Sequence, residues 1–291
     1  MFIPNTTLCL IDTRYHRLSE EAARRCAESC GFEQKLYFSD RPWDLDGFTF
    51  HRIAALQSIH DYNRVVVKEL AAHVETDHVL IVQYDGFIRD PECWSHDFLD
   101  YDYIGAPWPQ FDTHNVGNGG FSLRSRRLLT ALREMDAELD GRPEDIAICQ
   151  VWRCRLEQRH GIRFAPTDVA RRFSYESGPS TGPSFGFHGL YHLNQHYKRH
   201  QARWLAAQLQ PEHLRGWRII LLLAQYLRDG ETEEARAIFR KVCAYQTLDE
   251  IYQVAERLGL SDEIIGELFG LVQEASELVD DCSVTAHISG T

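Results

Sequence analysis

One stretch limits the folds open to this chain more than any other: His78-Val79-Leu80-Ile81-Val82-Gln83-Tyr84-Asp85-Gly86-Phe87-Ile88. From Val79 to Val82 apolar and polar residues do not alternate, so both faces of a strand here need cover, as at the centre of an α/β sheet. The run breaks at Asp85-Gly86, where glycine permits a sharp turn. A carboxylate at the carboxyl end of a buried parallel strand stands where open α/β sheets take their ligands. On these residues alone, a strand that merely ends in Asp-Gly is the commoner meaning.

The remaining bounds fit that sheet. A chain of 291 residues with 44% hydrophobic content has the length and apolar fraction for one large α/β domain with an appendage. The formal net charge of -12 argues against a nucleic-acid backbone as partner and suits a substrate held through a metal bridge. None of the eight cysteines forms a C-x-x-C pair, so neither a zinc ribbon nor a thioredoxin motif is supported. Several fall in apolar patterns, as buried thiols of a reducing compartment do. Met1-Phe2-Ile3-Pro4-Asn5 lacks a basic, then apolar, leader, and no apolar run reaches bilayer length. A cytoplasmic location is the expectation.

In chain order, Thr7–Asp12 predicts a strand, followed by a helix with Ser19 at its N-cap and Gly31 as its stop, then a strand over Gln34–Phe38. That is a βαβ unit, right-handed by rule. Thr13, Arg14 and Tyr15 follow the first strand, where a ring and a guanidinium suit a base and a phosphate. An ordinary polar loop fits them equally. A short strand over Gly47–Ala54 and a helix over Asp61–Val74 lead to the central run. Tyr101–Pro109, aromatic and proline-stiffened, reads as a binding wall or as a packed loop.

The segment Asn115–Ser125 is the most distinctive. Asn118-Gly119-Gly120 lets backbone approach a ligand, and Phe121 to Arg124 alternate as a strand of period two, with Ser125 capping the next helix. The lysine of a P-loop is missing. Pro143-Glu144-Asp145 opens a helix whose inward stripe is Cys149, Trp152 and Leu156. Asp145 extends that stripe to the helix tip, as a candidate general base or as a first-turn acid favourable to the helix dipole. Gly178–Gly189 reads as a mobile loop closing on Phe187-His188-Gly189. His188, His192, His196 and His200 would share one face of a helix, but no Glu adjoins the first, which disfavours zinc.

Gln83-Tyr84-Asp85, Asn118-Gly119-Gly120, Glu144-Asp145 and Phe187-His188-Gly189 come in a fixed order. That order resembles GT-A fold glycosyltransferases, with their D-x-D metal motif, glycine loop, x-E-D motif and C-terminal metal-binding histidine. The wording also resembles an uncharacterised bacterial family of that superfamily, in which QYDGF, YIGAPW, VGNGGFSLRS and FGFHG recur. The resemblance spans residues 7–200. It implies a Rossmann-like α/β fold for binding nucleotide-diphospho-sugars, a mixed sheet flanked by helices. It implies Asp85 and His188 as ligands of a divalent metal (Mn2+ or Mg2+) and Asp145 as acceptor base. Thr13, Arg14, Tyr15, Gln83, Tyr84, Asn118, Gly119 and Gly120 would face the nucleotide-sugar donor, a UDP-sugar first of all. Gln83 departs from the pattern, standing where D-x-D has its first acid.

The implied chemistry is transfer of a sugar to a hydroxyl of a glycan or other acceptor. A divalent ion would neutralise the diphosphate leaving group, and a carboxylate would take the acceptor proton. One base without a second nucleophilic carboxylate points to inversion. Beyond residue 200 five amphipathic helices are predicted, Trp204–Leu209, Trp217–Leu227, Glu233–Val242, Leu248–Leu258 and Glu263–Val279, before a frayed tail. One of them has the pattern of a tetratricopeptide helix, but a helical appendage, packed on the enzyme or forming a homodimer, explains them better. The rival class is a catalytically degenerate nucleotide-sugar-binding module that recruits a partner. An NAD enzyme is disfavoured, because no G-x-G-x-x-G follows the first strand.

Overall fold

Strand β1 (Phe2–Ile11) is buried without a break from Thr6 to Ile11, and it is flanked on both sides by parallel neighbours. They are β2 (Gly31–Ser39) and β4 (His78–Val82), and β3 (Thr49–Arg52) lies parallel on the outer edge of β2. Beyond β4 the direction reverses. Strand β7 (Phe121–Ser125) runs antiparallel to both β4 and β6 (Tyr103–Ile104), giving the order β3-β2-β1-β4-β7-β6. A second sheet, β5-β9-β8, is assembled from β5 (Gly86–Ile88), β8 (Ser174–Tyr175) and β9 (Gly186–His188). The computed structural model describes residues 1–135, 141–177 and 182–271.

The unalternated run of β4 has the meaning expected of it. Val79 and Ile81 join Cys9, Ile11, Val65, Val66, Leu70 and Leu129 in one cluster, while Leu80 and Val82 on the opposite positions are equally sealed. Helix α1 (His16–Ser29) runs against β1 and β2. Each aliphatic side chain buried this way contributes about 1.5–3 kcal/mol. The fold is the mixed α/β sheet flanked by helices that the pattern predicts.

Local details depart from prediction for identifiable reasons. The run His78–Ile88 is two strands in two sheets, because Gly86 N donates to Gln83 O at 3.1 Å and turns the chain at Asp85. Ser19 lies one turn inside α1, where it is buried and its hydroxyl donates to Asp12. Gly31 does not stop that helix but begins β2, its Cα facing the Phe2 ring. The helix over Asp61–Val74 divides into α2 (Ile59–Arg64), a π turn (Val65–Glu69) and a 3-10 turn (Leu70–Ala72). Three consecutive valines, Val65 to Val67, are all buried, Val65 and Val66 in the cluster with Val79 and Ile81 and Val67 in a second one with Tyr103 and Leu132.

Strand β7 is buried on both faces rather than alternating, because the charge of Arg124 is paired inside the protein. Ser125 accepts from Leu128 N and caps α3 (Arg126–Glu134), as predicted. Helix α4 (Glu144–Ile146) continues into a π turn (Ala147–Val151) and α5 (Arg153–His160), sealing Cys149 and Leu156. Trp108 is buried in the same cluster, so this part of Tyr101–Pro109 is packed interior. Helix α6 (Thr167–Phe173) leads into β8. Gly178–Thr181 of the predicted loop lies outside the described residues, and Gly186–His188 is a strand instead.

The chain separates into two compact units, Met1–Gly189 and the part from Leu190 onward, where composition placed the change near residue 200. The second unit is helical: a 3-10 turn (Leu190–Gln195), α7 (His200–Gln208), α8 (Trp217–Arg228), α9 (Thr232–Val242), α10 (Leu248–Arg257) and a helix from residue 262. Its core joins Ile219, Ile220, Leu223 and Tyr226 of α8 with Ala235, Ile238 and Phe239 of α9. A capping box between Thr247 and Glu250 starts α10. The four spaced histidines do not share a helix, since His188 is in β9, His192 in the 3-10 turn and His200 at the start of α7. The predicted helix beyond Leu271, Cys282 and the tail lie outside the described residues. Among the described residues no helix is long and apolar enough to cross a membrane.

Candidate functional site

Asp85 sits at the turn that ends β4, 4% exposed, and its backbone oxygen accepts from Gly189 N at 2.9 Å. Pairing of β5 with β9 sets Gly86 opposite His188, and so places the imidazole beside that carboxylate. His188 Nε2 lies 3.1 Å from Asp85 Oδ1, and His188 Nδ1 lies 3.0 Å from Glu176 Oε1. Burial alone would depress the histidine, but Asp85 and then Glu176 outweigh it and raise it to about 10. Burial pushes Glu176 up, and His188 and Asn118 together bring it below its ordinary value.

The glycine segment closes over this group. Asn118 is buried with φ 68°, and its Oδ1 accepts from Gly120 N at 2.9 Å and Phe121 N at 3.3 Å. Its side-chain nitrogen lies 3.2 Å from His188 Nδ1. Gly120 must be glycine for steric reasons, because a Cβ there would overlap the His188 ring. Gly120 O in turn accepts from Gln83 N at 2.8 Å, tying the segment to the end of β4.

Asp145 meets the same segment from the other side. Its Oδ2 accepts from Gly119 N at 2.8 Å and its Oδ1 from Ile146 N at 2.7 Å. Beneath it Glu144 takes both prongs of the Arg124 guanidinium at 2.9 and 3.0 Å, with the two side chains sealed from water. Burial raises the Glu144 carboxyl and Arg124 opposes that shift; burial also disfavours the Arg124 charge, which Glu144 more than restores. The fork geometry is that of an ion pair.

The loop after β1 forms a pocket of about 320 Å³ whose lining includes Asp12, Arg14, Tyr15, Tyr62, Gln83 and Tyr84. Asp12 Oδ1 accepts from Arg14 N at 2.5 Å and Tyr15 N at 2.9 Å, which fixes this loop. The Tyr15 and Tyr84 rings lie 4.6 Å apart, and the Gln83 amide donates to the Tyr62 hydroxyl at 3.0 Å. Thr13 does not line the pocket: its hydroxyl accepts from Leu56 N at 2.8 Å and holds the facing segment. The pocket wall runs through Gln83 and Tyr84, the two residues before Asp85.

Of the residues singled out by sequence, Asp85, His188, Asn118, Gly119, Gly120 and Asp145 form one connected group, and Arg14, Tyr15, Gln83 and Tyr84 line the pocket beside it. Sequence reasoning missed Glu176, Arg124 and Tyr62. Arg124 stood among strand residues as the one charge, a signal that it is paired; Glu176 and Tyr62 gave none.

The residues fit a divalent ion in one respect. Two neighbouring ligand atoms on an ion with bonds of about 2.1 Å lie about 3 Å apart, and Asp85 Oδ1 and His188 Nε2 are separated by 3.1 Å. Among the described residues no three His, Cys, Asp or Glu side chains converge on one point, so other positions on an ion would go to ligand oxygens and water.

Fold and site together describe an α/β protein with a pocket at the carboxyl edge of its sheet. Residues 47–188 match the model of a family described as a protein of unknown function, DUF5672. No curated protein matches the chain. Among solved structures it is similar to a glycosyltransferase involved in the glycosylation of the major capsid of PBCV-1. That likeness has 12% identity and a TM-score of 0.41, over 64% of this chain and 92% of the other.

Proposed function

We propose that the first unit is a glycosyltransferase that moves a sugar from a nucleotide-sugar to an acceptor hydroxyl. The observation that carries this reading is the approach of Asp85 Oδ1 to His188 Nε2, 3.1 Å, beside a pocket walled by the loop after β1. Asp85 and His188 would hold a divalent ion, Mn2+ or Mg2+, whose chemistry is to neutralise the charge of a departing diphosphate. Tyr15 and Tyr84, their rings tilted 56° to one another, offer aromatic faces for a base, and Arg14 a cation for a phosphate. Asp145, which meets the glycine segment, would take the proton of an acceptor hydroxyl there. A single base in that role gives inversion of the sugar carbon.

A second reading, binding without transfer, is favoured by two observations. Gln83 brings no charge to the site and its amide is bonded to Tyr62, and both oxygens of Asp145 accept from backbone N–H groups. Incubation with UDP-sugars and Mn2+, followed by assay of released UDP, separates the two. Turnover that disappears in Asp85→Ala supports transfer. Tight UDP binding by a wild-type protein that never releases UDP from any sugar, with or without hydroxyl acceptors, supports the module.

A further inference from the structure

The proposed function uses Asp85 and one nitrogen of His188, and leaves the other nitrogen and Glu176 without a task. His188 Nδ1 has two neighbours, Glu176 Oε1 at 3.0 Å and the Asn118 side-chain nitrogen at 3.2 Å. A neutral imidazole carries one N–H. Glu176 requires it on Nδ1, whereas Asn118 requires a lone pair there.

The network decides between them. The Asn118 amide cannot turn over, because its oxygen already accepts from Gly120 N and Phe121 N. Its nitrogen, however, also donates to Glu176. The Glu176 carboxylate therefore accepts from Asn118 and His188 together, and the proton belongs on Nδ1. Nε2 then faces Asp85 Oδ1 across 3.1 Å. That pair needs a positive charge between its atoms: a second proton, which the two carboxylates favour on this ring, or a divalent cation that takes the proton's place. An imidazole whose far N–H is held by a carboxylate is also the usual arrangement of a metal-ligating histidine.

We infer that Glu176 is a positioning residue: it holds His188 in the tautomer that offers Nε2, with Asp85, to a divalent cation. The inference rests on the proposed function. Glu176 itself touches neither the cation nor a substrate, and acts through the histidine.

The test uses the full chain as wild type, Glu176→Gln and Glu176→Ala. Titration calorimetry reads Mn2+ binding in saturating UDP, and separately UDP binding without a cation. Nitrogen NMR of the protein with Mg2+ and UDP reads which His188 nitrogen carries the proton. Removal of such a carboxylate weakens metal binding typically 10–100-fold. We expect that loss in Mn2+ affinity, unchanged cation-free UDP affinity, and a proton on Nδ1 in the cation-bound wild type. Structural damage alone would lower UDP affinity as well. Should Glu176→Ala not fold, the nearly isosteric Gln variant carries the comparison. Variants that bind Mn2+ as the wild type does, or a wild type protonated on Nε2, overturn the role of Glu176 and leave the proposed function standing. A wild type that binds no Mn2+ even with UDP overturns both.

Discussion

Arg124 and Glu144 form a two-pronged ion pair at 2.9 and 3.0 Å, with both side chains sealed from water. The pair lies directly beneath the glycine segment, where a Cβ added at Gly119 would strike a Glu144 oxygen. Breaking a buried pair by removing one partner costs about 3–5 kcal/mol, because the other charge is left unmatched. Glu144→Gln should lose stability on that scale in urea denaturation. A loss under about 1 kcal/mol would show that Arg124 finds another partner or water.

Asp145 carries the proposed base and two backbone hydrogen bonds at once. Asparagine has one side-chain acceptor, so Asp145→Asn loses one of those bonds, about 1 kcal/mol of stability. General-base catalysis contributes typically 10²–10⁴-fold, and transfer per folded molecule should fall by about that factor with donor affinity nearly kept. Kinetics corrected for folded fraction check this. Full turnover in the variant would leave Asp145 as a holder of the glycine segment only.

Gly120→Ala places a methyl group against the His188 ring. The three atoms nearest that methyl group all belong to the ring, so the effect should concentrate on the cation: Mn2+ binding in the presence of UDP falls at least tenfold. Calorimetry on Gly120→Ala beside wild type reads it. Equal affinity would mean that the ring can swing away at little cost.

Asp102 gives the stability its acid limb. Burial works against its charge, but Arg127, Ser125 and the Arg163 N–H outweigh burial and hold the carboxyl below its ordinary value. A carboxyl depressed by folding stabilises the protein above its unfolded pKa, about 3.9, and loses that contribution as pH falls through the folded value. Wild-type stability should therefore drop with acidification below about pH 4, more steeply than that of Asp102→Asn. Urea midpoints measured from pH 7 down to pH 3 compare the slopes, and parallel slopes would remove Asp102 from the explanation.

Much of this arrangement was legible in the residues. Val79 to Val82 announced a two-sided strand, and Asp85, Asn118-Gly119-Gly120, Asp145 and His188 stood out by type and position. What stayed hidden has a common physical origin. Ser19, expected at a helix N-cap, and Arg124, expected in an alternating strand, were misread because each has a buried partner brought from elsewhere in the chain. Glu176 follows a two-residue strand, too short to show a period, and acquires its place only when β8 pairs with β9. Local pattern reports what a residue prefers; it does not report which distant carboxylate will meet it.

The small sheet β5-β9-β8 joins β5 to two strands from much later in the chain, and its central strand β9 is the last of the three to be synthesised. Until Gly186–His188 has left the ribosome, β5 has no partner in that sheet and Asp85 has no histidine opposite it. A nascent chain therefore carries an unpaired strand edge, and with it a hazard of association with other chains, over the synthesis of about a hundred residues, some 5–20 seconds. The same late strand acts as a check on manufacture. A chain that stops short, or folds without β9, possesses the carboxylate but not the site.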